Sequence, residues 1–280
     1  MPIIEIENLK FRYAATKSFS LVDINLRIEE GEFIILTGPS GCGKTTLCRC
    51  LNGLIPNFYS GELKGSIYVA GLNVPKTQTS ELSKYVGFVF QNPENQLFSL
   101  SVERDVAFGP ENLGLSREEI KKRVEWALEV TGTSSLREYA PYELSGGQQQ
   151  KVAIACVLAM RPKIIILDEP TSFLDPKSAL EILKVINKLN KELKITIILV
   201  EHRLDMASQF ADRVIVMNQG RIELDGAPSE VYNKYAYLLG IGIPKVSLLF
   251  ILFKEDGLEF KKVPINVSEC EKEVRRYVSE

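Results

Sequence analysis

Apolar and polar residues alternate over residues 3–11 and again over 19–28, where the run ends at the Glu30-Gly31 turn. Period-two alternation of this length predicts half-buried strands. Residues 33–36 (Phe-Ile-Ile-Leu), 164–167 and 214–217 are instead continuous apolar runs, and 195–200 is apolar but for Thr196. Such runs predict strands buried on both faces. Residues 66–69 and 86–90 add two further strands. Helices are predicted over 45–51, ended by Gly53 and Pro56, and after Ser116, where Glu119 completes a capping box before Ile120, Val124 and Leu128. Two more are predicted over 148–160, with the small residues Ala153, Ala155 and Ala159 on one face, and over 178–193, with Leu180, Leu183, Ile186 and Leu189 in step. Strands alternating with helices imply an α/β fold around a mostly parallel sheet. The helical stretch over residues 92–160 interrupts that alternation and reads as an inserted subdomain. Residues 246–253 fit either strand or helix, and no internal repeat or low-complexity segment is present.

Composition narrows the function classes. At 280 residues, with 45% apolar and 25% charged positions, the chain carries enough apolar surface to fold. A net charge of −2 speaks against a nucleic-acid partner. The densest basic cluster, Lys121-Lys122-Arg123, lies beside Glu118 and Glu119 and reads as a solvated helix face. The most apolar stretch, residues 246–253, falls short of the roughly 20 residues of a membrane span. The first ten residues lack the basic start and apolar core of a leader, so a membrane role has to come through a partner. The single histidine, His202, and the lack of any C-x-x-C pair among five cysteines exclude a multi-histidine metal site and a zinc ribbon. Sparse cysteines point to reduced thiols.

Three motifs carry chemistry. Gly38-Pro39-Ser40-Gly41-Cys42-Gly43-Lys44-Thr45-Thr46 follows a buried strand and opens a helix, the context of a P-loop. There backbone N–H groups wrap phosphates, Lys44 sets a positive charge on them, and the Thr45 hydroxyl suits Mg²⁺. The run at 164–167 delivers Asp168 to a strand end, where it can hold Mg²⁺, and then Glu169, where a base can polarise water. Leu144-Ser145-Gly146-Gly147-Gln148 offers a second anion-facing helix start. One ATP in one subunit has no need of two such ends, so this one fits an ATP held by a neighbouring subunit. On these residues alone an ordinary helix cap explains it equally well.

With these motifs in this order, residues 3–231 resemble an ATP-binding cassette ATPase of a membrane transporter. The resemblance implies a RecA-like P-loop fold with an antiparallel β subdomain, an inserted α-helical subdomain and a small C-terminal helical extension. It places a nucleotide-binding domain at residues 1–236, its helical part at about 92–160, and a dimerisation extension at 237–280. It also implies ATP and Mg²⁺ as cofactors. Tyr13 matches the aromatic residue stacked on adenine, and Gly38 to Thr46 the phosphate cradle. Thr45, Gln91 and Asp168 match the Mg²⁺ ligands; Glu169, Gln91 and His202 match the catalytic base, the glutamine beside the lytic water and the γ-phosphate switch. Ser145, Gly146, Gly147 and Gln148 match the signature that faces the partner's ATP. Asp175 matches the loop between the two sites, in which Phe173 stands where a small residue is commoner.

Residues 90–109 and the tail are similar more narrowly to energy-coupling factor transporter ATPases, including the cobalt and nickel type. That implies a second ATPase subunit as a homo- or heterodimer partner, a transmembrane coupling protein docked after Gln91, a substrate-binding membrane protein, and no nucleic acid. It further implies a place at the cytoplasmic face of the membrane and uptake of a vitamin or transition-metal ion. An importer cassette with a dedicated permease and a non-transport cassette stand as alternatives. A P-loop kinase or GTPase would leave residues 144–148 unexplained.

Overall fold

The computed structural model describes residues 2–258 and 260–279. Its first strands, β1 (Ile4–Tyr13) and β2 (Leu21–Ile28), pair antiparallel. With β4 (Gly61–Val69) and β5 (Leu72–Asn73) they form a four-stranded antiparallel sheet in the order β2-β1-β4-β5. Between them in sequence come β3 (Phe33–Thr37) and helix α1 (Lys44–Leu51). The second sheet takes in β3, β6 (Val86–Val89), β7 (Ile164–Asp168), β8 (Thr196–Val200), β9 (Arg213–Asn218) and β10 (Arg221–Gly226), in the order β10-β9-β3-β8-β7-β6. All its pairings are parallel except β9 with β10.

The continuous apolar runs follow from two cores, one on each face of this sheet. Phe33, Ile35, Ile165, Leu167, Ile197 and Leu199 enter one core, and Ile34, Leu36, Ile164, Ile166, Ile198 and Val200 the other. Alternate residues of a strand point to opposite faces, so a strand buried on both must be apolar throughout. The first core is covered by three helices between β6 and β7, α2 (Val102–Asn112), α3 (Arg117–Thr131) and α4 (Gly146–Leu158), and by α5 (Pro176–Leu193). The second is closed by α1 and the antiparallel sheet.

The parallel register also sets the site. Leu36 and Asp168 both lie opposite Val200, so the C-terminal ends of β3, β7 and β8 share one edge. Ligands of open α/β sheets bind beyond such strand ends.

Some local expectations change. Ala153 and Ala155 lie on different sides of α4, and the helix is buried on most of its circumference, so no single small-residue face exists. Buried Gln149 and Gln150 sit among its apolar residues for the same reason. At α3 only half of the expected capping box forms. Ser116 Oγ accepts the Glu119 N–H, but the Glu119 carboxylate turns to Arg123 and Arg161. Two guanidinium partners outcompete a single backbone N–H. Residues 246–253 are helical, inside α6 (Lys245–Glu255), and α7 (Val267–Ser279) follows.

Candidate functional site

The loop between β3 and α1 doubles back tightly because its glycines occupy backbone that other residues resist. Gly38 has φ +145°, and a Cβ there would lie 2.0 Å from the Met217 carbonyl oxygen. Gly43 has φ +109°, with the Ser20 carbonyl oxygen 2.6 Å from the same added atom. Any side chain at either position would force strand β9 or Ser20 apart from the loop. Inside the loop, buried Lys44 donates from Nζ to the carbonyls of Gly38 (2.8 Å) and Pro39 (3.0 Å). Its ammonium is thereby held at the mouth of α1, where the helix dipole adds to its positive potential. A cleft lined by the loop, Ser20 and Glu169 opens above it.

Thr45 leads to the next strand: its Oγ1 donates to Asp168 Oδ2 at 3.1 Å. Burial pushes the Asp168 carboxyl above its ordinary pKa, opposed by this Thr45 hydrogen bond. Glu169 follows with a left-handed backbone, φ +50°, a conformation disfavoured for residues with a Cβ. Such strain persists where surrounding bonds enforce it and concentrates at functional sites. Here the Glu169 N–H is fixed to the Val200 carbonyl at 3.0 Å. Its side chain gathers three partners. Oε2 accepts from Gln91 Nε2 (2.9 Å) and Ser172 Oγ (3.0 Å), and Oε1 meets His202 Nε2 at 3.2 Å. Residues from three separate segments, Gln91, Glu169 and His202, therefore converge on one carboxylate. Thr45, Asp168 and Gln91 present oxygen donors, the chemistry that a hard cation such as Mg²⁺ takes.

Tyr13 flanks the cradle. Its OH lies 3.2 Å from Thr46 Oγ1 and accepts from Arg49 at 3.5 Å, and its ring packs edge-on to Phe11 and Tyr59. Ser145, Gly146, Gly147 and Gln148 are not drawn into this cluster. Ser145 caps α4: its Oγ accepts the Gln148 N–H at 3.4 Å, while Gln148 Oε1 accepts the Ser145 N–H at 2.8 Å. Gly146 instead lines a separate groove with Gln91, Phe173 and Leu174. Asp175 caps α5, accepting from the N–H groups of Lys177 (2.9 Å) and Ser178 (3.1 Å). Phe173, just before it, is 76% exposed.

Two contacts escape the motif reading. Ser172, the first residue of the loop motif that ends at Asp175, donates to the catalytic candidate Glu169, and Glu201, which in sequence is only the residue before His202, is a fully buried carboxylate. An acid directly after an apolar strand such as 195–200 is the sequence signal that marks it.

Comparison with known proteins decides the family. The ABC transporter family model matches residues 21–172, more than half of the chain. The chain belongs to the ABC transporter ATPase family. A Pyrococcus horikoshii protein named as an ABC transporter ATP-binding protein is 50% identical over 262 residues, covering 94% of this chain and 90% of its own. The energy-coupling factor transporter ATP-binding protein EcfA2 of Caldanaerobacter subterraneus is 42% identical over 286 positions, covering 99% and 98%. Among solved structures, cbiO1 of Clostridium perfringens, part of the ABC transporter complex cbiONQ, superposes with a TM-score of 0.75 at 40% identity over 82% of this chain and 90% of that one. The cassette MJ0796, solved as a dimer bound to ADP and Pi, gives a TM-score of 0.68 at 32% identity over 80% and 98%. The fold is thus that of a P-loop ABC cassette, and the chain is an ATP-binding ABC ATPase. Among the described residues no helix is long and apolar enough to cross a membrane.

Proposed function

We propose that this cassette is the ATP-hydrolysing subunit of an energy-coupling factor type importer at the cytoplasmic face of the cell membrane. Through a coupling protein and a substrate-binding membrane protein it drives uptake of a vitamin or a transition-metal ion. The observation that carries the reading is the match to EcfA2 along nearly the full length of both chains, which takes in the segment after Gln91 and the tail. A ridge of exposed apolar residues supports it. Phe98 and Leu100 are 67% and 76% exposed, and Phe98 packs edge-on to exposed Phe108 beside α2. Exposed apolar groups this close together mark a contact surface.

In this reading Tyr13 carries the adenine, and Gly38 to Thr46 with Lys44 hold the phosphates. Glu169 takes the proton of the attacking water, Gln91 orients that water, and His202 contacts the γ-phosphate. Mg²⁺, held by Thr45, Asp168 and Gln91, supplies charge neutralisation of the phosphates when bound. The Ser145–Gln148 helix end and Asp175 serve the ATP of a second cassette, so that two chains enclose two nucleotides. Residues 1–236 form the cassette and 237–280 an extension through which two cassettes pair; residues 1, 259 and 280 lie outside the described residues. The test is co-expression with a membrane coupling protein. The parent chain is expected to co-purify with the membrane fraction. A chain carrying Phe98→Glu and Leu100→Glu is expected to stay behind while still binding ATP. Membrane association indifferent to both charges would remove the docking assignment.

A further inference from the structure

Glu201 has no place in the ATPase roles assigned above, yet it is the most heavily satisfied buried acid at the site. It is 1% exposed. Oε1 accepts the backbone N–H groups of His202 (2.8 Å) and Arg203 (3.0 Å), and Oε2 accepts the hydroxyl of buried Thr171. Its own N–H donates to the Leu36 carbonyl at 3.3 Å, one residue before the end of β3. A carboxylate out of water is tolerated only when donors replace its hydration. Here all of them come from two loops that carry functional groups.

Arg203 adds a second tie between the same loops. Its guanidinium donates to the carbonyls of Leu174 (2.8 Å) and Ser172 (3.4 Å). The segment from Glu169 to Asp175 is therefore fastened to the His202 segment by Glu201 on its buried side and by Arg203 nearer the surface. His202 itself is exposed, and its ring nitrogen Nε2 meets Glu169. What fixes the start of its backbone is the Glu201 fork.

We propose that Glu201 is a positioning residue that holds the His202 loop to the Thr171–Asp175 loop, so that the γ-phosphate contact and the partner-facing loop move as one piece. The proposal rests on the assignment of His202 and Glu169 to the reacting phosphate. A rigid tie of this kind acts on the transition-state geometry more than on ground-state nucleotide binding.

The experiment measures steady-state ATP hydrolysis by the full chain carrying Glu201→Ala, Glu201→Gln or Thr171→Val, each alone and the first also with His202→Ala. Glu201→Ala is expected to lower kcat at least about tenfold with KM for ATP within about threefold of the parent. Glu201→Gln keeps a carbonyl oxygen for the two N–H donors and turns its amide to the Thr171 hydroxyl, so it should restore kcat to within about threefold. Thr171→Val, which removes only the hydroxyl, should fall between them. In the His202→Ala background Glu201→Ala should cost less than about threefold more, because the two act through one contact. Parent-like kcat in Glu201→Ala beside an impaired His202→Ala overturns the tie alone, as does a loss carried in full onto the His202→Ala background. Full activity of His202→Ala removes the underlying assignment and the tie with it. Should Glu201→Ala fail to fold, Thr171→Val at parent kcat overturns the proposal.

Discussion

The cradle and the signature edge are built on the same principle and end in opposite conditions. Each is a helix start that carries glycines, Gly43 just before α1 and Gly146 and Gly147 as the first residues of α4. At α1 the start is enclosed: Lys44 is buried, Thr45 is bonded to Asp168, and Glu169 stands over the cleft with Gln91 and His202 on its carboxylate. At α4 the start is open. Ser145 and Gly146 are exposed, and the side chains of Ser145 and Gln148 each bond to the other's backbone N–H. The cradle brings the Lys44 ammonium, an oxygen-donor set and the candidate base Glu169 together within one chain. The signature edge offers the N–H groups of a helix start. In the proposed reading the first end holds the chain's own nucleotide, and the second, a satisfied helix cap within this chain, faces a phosphate bound by a second cassette.

The largest effect should separate the two ends most sharply. Glu169→Gln keeps the contacts around the carboxylate but removes its basicity, so turnover should fall on the order of a hundredfold or more. ATP binding to the isolated chain should persist. Phosphate release and nucleotide titration measure the two, and turnover near the parent rate would take the base role from Glu169.

Next in size is His202→Ala, expected to lower turnover about tenfold or more with the melting temperature unchanged, since the ring is exposed. A fully active variant would leave His202 as a surface imidazole.

Ser145→Ala should break the comparison if it is wrong. It removes a helix cap worth about 1 kcal/mol, so the melting temperature should drop by roughly 2–4 °C. The affinity of the isolated chain for ATP should stay put. A loss of that affinity would mean that α4 serves the chain's own nucleotide.

The smallest effect concerns Asp175, whose carboxyl the hydrogen bonds of Ser178 and Lys177 hold below the ordinary aspartate value. A depressed folded-state pKa gives stability that is present above the unfolded value of about 4 and lost as pH falls through the folded one. Thermal melts of Asp175→Asn and parent chains should therefore differ by a constant amount at neutral pH and converge below about pH 4. A gap that stays constant into that range would place the effect elsewhere.

How much of this the sequence disclosed follows the physics of each element. The strands of the central sheet are legible because burial on both faces demands uninterrupted apolar runs. The cradle is legible because wrapping a phosphate demands glycines, a lysine and a hydroxyl at fixed spacing. Residues 246–253 are undecided by periodicity, since a short apolar run suits a strand as well as a helix. The fate of the Glu119 carboxylate was hidden because Arg161 reaches it from outside its helix. The place of Glu201 after an apolar strand is visible in the sequence, but its partner is not: that partner is Thr171, thirty positions away and brought near by the strand register.

The central claim is that the signature edge of one chain completes the cradle of another. Mixing tests it most directly. A chain carrying Lys44→Ala keeps its signature edge, and a chain carrying Ser145→Arg keeps its cradle; each alone should be nearly inactive. In an equal mixture half of the pairs are mixed and hold one intact composite site, so turnover should recover to about a quarter of the parent rate. A mixture no more active than the sum of its two components would contradict the account.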